Sequence, residues 1–261
     1  MKNRKQIDGI DNMSLFQIPK DVRSTDKIYI QDGILYKIFG DNSFIREKKR
    51  NIDYLIHNKV PNSPEIYIKI NKGNEICGYA MEYIPNAMTF RQAIGNNLPL
   101  NTKIKAIEDV YEALKHLHTN SIYLGDIHSD NMLITETGGY LIDLEEIRFP
   151  GDEWKYKQYY LVKPNSNSKR INIPSDYTDN IKLMICSLSL LLDRDLELLI
   201  DQKRHEINVE RLYNEIVKPL NNEEINDYFE GLMDKSFKEY FSDIMKKIYN
   251  RNKERGKLYE K

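Results

Sequence analysis

The sequence predicts an α+β protein of two lobes, with a β-rich lobe over residues 1–84 and a mostly helical lobe over residues 85–261. The chain before Pro85 carries two hairpin patterns and one amphipathic helix. Beyond Pro85 the apolar residues recur mainly at helical spacing. With 261 residues, 40% of them hydrophobic and 30% charged, the chain has the length and composition to bury a substantial core.

The first lobe is predicted to hold two hairpins on either side of a helix. Residues 28–39 form two short strands around Gln31-Asp32-Gly33, where Asp-Gly supplies the positive φ that a tight turn needs. Residues 65–84 form the second hairpin, with its turn at residues 71–74. Between them the pattern predicts a helix that ends before Pro61. The apolar face of this helix consists of Phe44, Ile45, Ile52, Leu55 and Ile56.

The second lobe is predicted to begin with a long amphipathic helix over residues 101–118. A short hairpin follows, with strands on either side of Gly138-Gly139. From Asp176 onward the pattern predicts helix to the end of the chain. The apolar stretch at residues 181–192 is shorter than the roughly 20 residues that a bilayer span requires, so a buried helix is expected there.

Charge and cysteine content exclude several classes of function. The net charge is −1, from 39 basic and 40 acidic residues, which gives no general attraction for nucleic acid or for an anionic membrane. Residues 1–12 carry positive charge but no apolar run follows them, so no secretory signal is predicted. Cys77 and Cys186 are isolated in the sequence, and we interpret them as reduced thiols of a cytoplasmic protein.

Three polar residues stand beside short apolar strands between residues 123 and 147. Asn131 precedes the first strand of the short hairpin and Asp143 follows the second, so both are expected at the same end of the ribbon. An amide oxygen and a carboxylate are hard ligands that suit Mg²⁺, with phosphate as a further partner. Asp126, on the turn before the ribbon, is then placed to orient a hydroxyl nucleophile. Taken singly, each residue has a simpler interpretation as a turn former or a helix cap.

In combination, LGDIHSDNMLI (residues 124–134) and YLIDLEEI (residues 140–147) resemble the catalytic loop and metal-binding segment of the protein-kinase-like superfamily. The resemblance implies a bilobal kinase fold that uses ATP and Mg²⁺ to transfer a γ-phosphoryl group to a hydroxyl. It also implies that Asp126 is the catalytic aspartate, Asn131 a metal ligand and Asp143 the principal Mg²⁺ ligand.

The resemblance extends to the first lobe and covers about residues 28–190. ILYKIF supplies Lys37 as the strand lysine that reaches the α- and β-phosphates. The following helix supplies Glu47 to hold that lysine, although the spacing between the two is short for the family. YAMEYIP (residues 79–85) resembles the segment that joins the lobes and holds adenine. This match places Met81 at the gatekeeper position and implies that the backbones of Glu82 and Ile84 bond the adenine edge.

The chain departs from the protein-kinase pattern in its phosphate-binding loop. There is no G-x-G-x-x-G, and the corresponding segment is RSTDKIYI (residues 23–30). Its backbone amides and the hydroxyls of Ser24 and Thr25 are candidates to hold phosphate, as in aminoglycoside-phosphotransferase-like kinases, and a plain surface loop fits the pattern equally well.

Three further departures lie around the candidate catalytic residues. Leu124-Gly125 replaces His-Arg before the catalytic aspartate, which removes the usual partner of a phosphorylated activation loop. His128 stands where protein kinases carry a lysine that reaches the γ-phosphate, and aminoglycoside kinases also have His there. Glu145 follows Asp143 and either adds a carboxylate near the metal or pairs with a Lys or Arg, of which we favour the pairing.

A later helix and the segment before it offer additional signals. SDYTDNIKLMICSLSLL (residues 175–191) resembles the protein-kinase helix whose buried aspartate, here Asp179, braces the catalytic loop. A helix N-cap is the competing interpretation of Asp179. Within residues 152–170, aromatic residues interleaved with lysines fit either a docking surface for a peptide substrate or half-buried packing.

The function predicted from these features is that of a small bacterial-type kinase with some aminoglycoside-kinase features. We expect the acceptor hydroxyl to be a Ser or Thr of a protein. A small-molecule kinase of the aminoglycoside or choline type is the alternative that Gly125 and His128 favour, with the acidic residues 221–231 available for a cationic substrate. A nucleotide-binding pseudokinase is the third possibility, which the absent glycine-rich loop favours.

Overall fold

The protein is described from a computed structural model, which covers residues 26–40, 45–152 and 176–201 and short strands at residues 7–8, 16–17 and 206–207. It is a mixed α+β structure whose N-terminal region is dominated by an antiparallel sheet. The predicted α+β class is therefore confirmed. Two predicted substrate regions cannot be compared with the structure. Residues 153–170 of the predicted docking segment and the acidic residues 221–231 lie outside the described part of the chain.

The main sheet has six strands. They are β1 (Ile7–Asp8), β2 (Phe16–Gln17), β3 (Lys27–Gln31), β4 (Ile34–Ile38), β5 (Ile66–Lys72) and β6 (Glu75–Glu82), in the spatial order β1-β5-β6-β4-β3-β2. All neighbours are antiparallel except β1 and β5. Both predicted hairpins, β3–β4 and β5–β6, are confirmed. The two-residue strands β1 and β2 were not predicted, because so short a segment shows no alternation of apolar and polar residues.

Local backbone requirements explain the sheet's turns and one close contact. Asp32 and Gly33 both have positive φ, at 52° and 74°, as expected for the tight turn between β3 and β4. Gly78 on β6 pairs with Ile38 on β4. A Cβ atom on Gly78 would lie 2.2 Å from the carbonyl oxygen of Lys37, so the glycine allows β6 to approach the strand that carries this lysine.

Helix α1 (Ile45–His57) follows β4, close to the predicted position. It buries Ile52 and Leu55 and also buries Asn51, a polar residue on the core side. Because asparagine is buried only when its amide is hydrogen-bonded, this residue indicates a specific contact of α1.

The remaining elements follow β6. They are β7 (Met88–Thr89), α2 (Phe90–Ala93), α3 (Leu100–Thr119), β8 (Met132–Ile134), β9 (Gly139–Leu141), α4 (Asp176–Leu191), β10 (Ile200–Asp201) and β11 (Glu206–Ile207). The strands β7, β8 and β9 form a small antiparallel sheet that includes the predicted short hairpin. The long helix predicted over residues 101–118 is confirmed as α3, which packs on β9.

The prediction of continuous helix from Asp176 to the chain end is wrong at residues 192–201 and 206–207. Helix α4 ends at Leu191, and Asp193 has a positive φ of 50°. A 3-10 helix at Leu196–Leu199 and the antiparallel pair β10–β11 follow. The apolar periodicity that α4 follows is interrupted after Leu192 by three charged residues, Asp193, Arg194 and Asp195, so the buried face of the helix does not continue.

One hydrophobic cluster connects the sheet with the helices. Its fully buried members include Ile52 of α1, Tyr79 of β6, Leu114 of α3, Met132 of β8 and Leu188 of α4. The apolar residues of α4 from Leu183 to Leu191 are buried in this cluster, in agreement with the buried helix predicted for residues 181–192. Within the described ranges, none of the helices has both the length and the apolar character needed to cross a bilayer.

Candidate functional site

Lys37 lies at the centre of a group of three carboxylates. Its Nζ atom is 2.5 Å from Glu145 Oε1, 2.9 Å from Asp143 Oδ1 and 3.6 Å from Asp26 Oδ2. The Lys37 side chain is almost fully buried by β4 and its neighbours. Burial alone would lower the pKa of Lys37, but the charges of Asp143 and Glu145 outweigh it and raise the pKa above its usual value. Lys37 is therefore a fixed positive charge inside an acidic group.

The hairpin β8–β9 brings the two predicted metal ligands to one end. Met132 pairs with Leu141, and the Ile142 amide donates to the Asn131 carbonyl at 3.0 Å. Asn131 thus precedes β8 where Asp143 follows β9, as the sequence predicted. Asp143 has left-handed backbone angles, φ 60° and ψ 39°. Asp tolerates this conformation better than most residues do, and here it ends the strand and starts a 3-10 helix at Leu144–Glu146.

Asp126 lies on the loop before this hairpin, with its side chain 56% exposed. The Asn131 amide nitrogen donates to the Asp126 carbonyl at 2.9 Å, which leaves the amide oxygen as the acceptor end of Asn131. This bond holds the Asp126 backbone against the start of β8. The exposed carboxylate is accessible to an incoming hydroxyl group.

His128 lies beside Asp126, with its Nε2 atom 3.8 Å from Asp126 Oδ2. Its Nδ1 atom accepts a hydrogen bond from the Asp130 amide at 3.3 Å and so caps the 3-10 helix Ser129–Asn131. Burial favours the neutral ring, but the contact with the Asp130 carboxylate and the charge of Asp126 outweigh it and raise the pKa of His128. The structure therefore places His128 next to the predicted catalytic aspartate.

Asp179 holds the loop from the helix α4 side, as the sequence predicted. Its two carboxylate oxygens accept the amides of Leu124 and Gly125 at 2.9 and 2.8 Å. Asp179 is fully buried and lies in the first turn of α4, three residues after its first residue. The bracing interpretation is confirmed over the N-cap interpretation. Lys182, one turn further along α4, donates to the Gly125 carbonyl, and burial lowers its pKa.

Glu145 pairs with a lysine, which confirms the favoured interpretation of this residue. Its Oε1 atom contacts Lys37, and its Oε2 atom accepts the Tyr79 hydroxyl at 2.8 Å. The side chain is only 2% exposed. Burial favours the protonated acid, but the positive charge of Lys37 outweighs burial and lowers the pKa of Glu145. Glu145 is therefore a buried carboxylate with both oxygens engaged by protein groups.

The sequence predicted a different partner, Glu47, for Lys37. Glu47 lies half-buried in the first turn of α1, and among the described residues the ion pairs of Lys37 are with Asp26, Asp143 and Glu145. The physical reason is that Glu145 occupies the buried side of the ammonium group, between Lys37 and Tyr79. Spacing along the chain indicated Glu47, whereas Glu145 is 108 residues away in sequence.

Helix α1 is attached to the same segment that carries Asp143 and Glu145. The amide nitrogen of Asn51 donates to the carbonyls of Glu145 and Ile147, both at 2.8 Å. Lys48 lies 3.3 Å from Glu146 Oε1. Sequence reasoning missed Asn51, and its only signal was a polar residue on the apolar face of the predicted helix.

A second charged cluster, centred on Arg91 of α2, was also missed. Its guanidinium donates to Asp130 Oδ2 at 2.8 Å, to Glu197 Oε2 at 2.7 Å and to Asp195. Glu197 also accepts the Ser129 amide at 3.2 Å. Arg91 therefore ties α2 and the chain after α4 to the loop of Asp126. The partners of Arg91 lie 39 to 106 residues away along the sequence, so no local sequence pattern indicates this cluster.

The end of β6 contains the residues predicted to hold adenine. Met81 is buried in the sheet between β4 and β5. The Glu82 amide donates to the Glu65 carbonyl at 2.9 Å, and the Tyr83 amide to the Gly33 carbonyl at 3.2 Å. These two amides are engaged by the sheet, and Ile84 follows the last residue of the strand. Ser24 and Thr25 lie outside the described residues, between β2 and β3 in sequence.

The donor set fits a magnesium ion that also binds phosphate. Among the described residues no three His, Cys, Asp or Glu side chains form a group that could hold a metal alone. Mg²⁺ is ordinarily held by one or two carboxylates together with substrate phosphates and waters, and an amide oxygen and a carboxylate at one end of a hairpin, as Asn131 and Asp143 provide, are compatible with such a site. One positive and three negative charges around Lys37 leave a net charge of −2, which a divalent cation would neutralise.

The fold and this site are compatible with the protein-kinase-like class. No protein-family model matches the chain. Over 101 residues the chain is 33% identical to the serine/threonine-protein kinase PrkC of Bacillus subtilis (strain 168). The match covers 38% of this chain and only 15% of that kinase. It supports a protein-kinase-like relationship.

Proposed function

We propose that the protein is a Mg²⁺- and ATP-dependent phosphotransferase that moves the γ-phosphoryl group to the hydroxyl of a Ser or Thr in a protein. The observation that carries the proposal is the convergence of Lys37, Asp143, Asn131 and Asp126 from three separate segments: strand β4, the end of β9 and the loop before β8. Such chemistry depends on placement and electrostatic stabilisation, so a small number of side chains in the correct positions is sufficient.

In this proposal the nucleotide lies between the sheet and the helical part of a two-lobed fold. Lys37 binds the α- and β-phosphate oxygens with its ammonium group, exchanging its contact with Asp143 for one with phosphate. The adenine edge meets the backbone after Met81, with Glu82 and Ile84 as its partners. Ser24, Thr25 and the amides around them cover the phosphates in place of a glycine-rich loop.

Asn131 and Asp143 hold the metal ion, through the amide oxygen and the carboxylate. When bound, Mg²⁺ neutralises the negative charge that gathers on the phosphoryl oxygens during transfer. The bond from Asn131 to the Asp126 carbonyl fixes the distance between the metal ligand and the loop that receives the acceptor. In this proposal, the loop of residues 124–131 therefore sets the position of the acceptor hydroxyl relative to the phosphate.

Asp126 orients the acceptor hydroxyl and takes its proton, because its carboxylate is exposed and its backbone is fixed on both sides. His128, beside it, places a positive or hydrogen-bonding group near the transferred phosphoryl group. This histidine is the observation that favours a second candidate acceptor, a small hydroxyl-bearing molecule. The match to a serine/threonine-protein kinase favours a protein acceptor.

The test is a transfer assay with γ-labelled ATP and Mg²⁺, run alone and with a generic protein substrate. Asp143→Asn and Asp126→Asn each remove one proposed role without changing side-chain volume, and each is expected to reduce transfer at least about a hundredfold. Asp53→Asn is the matched control, because Asp53 is a half-exposed carboxylate on α1 that pairs with Lys69. Both label on protein and released phosphate are measured.

Label on protein that disappears in both site variants and persists in the control supports a protein kinase. ATP turnover without labelled protein supports the small-molecule acceptor. Neither activity, with ATP still raising the melting temperature, would replace the proposal with a nucleotide-binding pseudokinase.

A further inference from the structure

The partners of Lys37 differ in how firmly the protein holds them. Glu145 is 2% exposed and sits 2.5 Å from the lysine, whereas the Asp143 side chain is 35% exposed at 2.9 Å. Asp26 is more distant, at 3.6 Å, and accepts the Gly40 amide with its other oxygen. Glu145 is therefore the partner that Lys37 can keep when phosphate and metal engage the more exposed Asp143.

The contacts of Glu145 favour a role as the partner of Lys37 over a role as a metal ligand. Both of its oxygens are occupied, one by Lys37 and the other by the Tyr79 hydroxyl at 2.8 Å. A carboxylate that would leave this place for a metal would abandon a buried ammonium group and a buried hydroxyl together. Because unpaired buried groups of this kind are costly, the contact with Lys37 is the stable one.

The segment that carries Glu145 is itself fixed to α1. The amide nitrogen of Asn51 donates to the carbonyls of Glu145 and Ile147. Glu145 thus stands on a backbone that is held from the helix side by two hydrogen bonds. The position of the Glu145 carboxylate is therefore set by the backbone of its own segment and does not depend on Glu47, the acidic side chain in the first turn of α1.

We propose that Glu145 is the positioning residue for Lys37: its carboxylate, held by Tyr79 and by the attachment of its backbone to Asn51, sets the ammonium group where it meets the nucleotide phosphates. The inference rests on the proposed function. It assigns the holding of Lys37 to Glu145, in the segment that also carries Asp143, whereas the sequence pattern had indicated Glu47 on α1. Lysine placement and metal placement then depend on the same three residues of chain, Asp143 to Glu145.

The experiment compares four variants of the full chain. Glu145→Gln keeps the volume and removes the charge, and Glu145→Asp keeps the charge. Glu146→Gln is the matched control, since it removes a neighbouring carboxylate that pairs with Lys48 and Arg148 and not with Lys37. Glu47→Gln tests the competing assignment. The dissociation constant of a non-hydrolysable ATP analogue with Mg²⁺ is measured by calorimetry, together with KM for ATP, kcat and the melting temperature without ligand.

Glu145→Gln is expected to weaken nucleotide binding about 10- to 100-fold and to raise KM for ATP more than it lowers kcat. Glu145→Asp is expected to restore part of the affinity, and Glu146→Gln and Glu47→Gln to bind within about threefold of wild type. A purely structural role would lower the melting temperature in Glu145→Gln without this selective change in KM. If Glu145→Gln does not fold, Tyr79→Phe gives the same test with a several-fold loss expected, because it releases one oxygen of Glu145.

Two results would overturn the inference alone: wild-type affinity in Glu145→Gln, or a loss in Glu47→Gln as large as the loss in Glu145→Gln. A wild-type protein that binds no nucleotide would instead overturn the proposed function, and the inference with it.

Discussion

At the scale of single residues, buried polar side chains hold the site together. Asn51 is fully buried, and its amide nitrogen donates to two backbone carbonyls of the segment that follows Asp143. Its oxygen accepts from the Arg50 guanidinium at 3.0 Å. A side chain with all these bonds satisfied adds to stability, whereas its removal leaves buried carbonyls without partners.

Asn51→Ala is expected to lower the free energy of unfolding by about 2 to 4 kcal/mol, because the carbonyls of Glu145 and Ile147 lose their buried donor. Urea denaturation measures the change. Asn58→Ala is the matched control: Asn58 also donates to a backbone carbonyl, that of Tyr54, but it is exposed, so a change within about 0.5 kcal/mol is expected. Equal effects of the two substitutions would contradict the described attachment of α1.

The pair between Arg50 and Asp152 predicts a pH dependence of stability. The guanidinium contacts both carboxylate oxygens, at 2.8 and 2.6 Å, and lowers the pKa of Asp152. A lowered pKa in the folded state means that the contribution is complete above the unfolded value of about 4 and is lost as the pH falls through the folded value. Because Arg50 is partly exposed, the pair contributes no more than about 1 kcal/mol.

Asp152→Asn is therefore expected to destabilise the protein at pH 7, by an amount that becomes smaller as the pH falls below about 4. Denaturation at a series of pH values checks this difference. Arg50→Gln and the double variant complete the cycle, and the coupling energy between the two substitutions separates the ion pair from the other contacts of Arg50, with Asn51 and Phe149. A difference between wild type and Asp152→Asn that stays constant down to pH 2 would show that the charge of Asp152 is not involved.

At the scale of elements, the contact of α3 with β9 sets the position of the short hairpin. Gly139 begins β9, and a Cβ atom on it would lie 2.2 Å from the carbonyl oxygen of Ala106 in α3. The Gly139 amide also donates to Asp109 of α3 at 3.1 Å. The helix therefore approaches the strand as closely as a glycine permits, and Asp143 lies two residues beyond the end of that strand.

Gly139→Ala is expected to cost about 1 to 3 kcal/mol of stability, because backbone atoms of a helix cannot move aside as a flexible side chain can. Chemical denaturation provides the measurement. Gly73→Ala is the comparison, since its Cβ would meet open space and the substitution is opposed only by the positive φ of 62°, at about 1 kcal/mol. If Gly139→Ala proved more stable than Gly73→Ala, the close packing of α3 on β9 would be refuted.

At the scale of the whole molecule, local sequence patterns predicted most helices and hairpins, but they did not predict most of the side-chain contacts that join distant segments. The period of apolar residues located α1 and α3, and turn residues located the hairpins, because these signals lie within a few residues of each other. Motifs indicated Lys37, Asn131 and Asp143 as candidate site residues, whose roles stay predictions, and they indicated correctly the loop that Asp179 holds. The contact of Lys37 with Glu145 spans 108 residues, and nothing local distinguishes it from a contact with Glu47.

The attachment of α1 also has a consequence for how this sequence can diverge. Asn51 recognises backbone carbonyls, which residues of every type provide at positions 145 and 147. Substitution at either position therefore leaves the acceptors of Asn51 in place, whereas replacement of Asn51 removes the donor itself. Among sequences that diverge from this chain, we expect asparagine to be retained at position 51. The side chains at positions 145 and 147 are free to change as far as the hydrogen bonds of Asn51 are concerned.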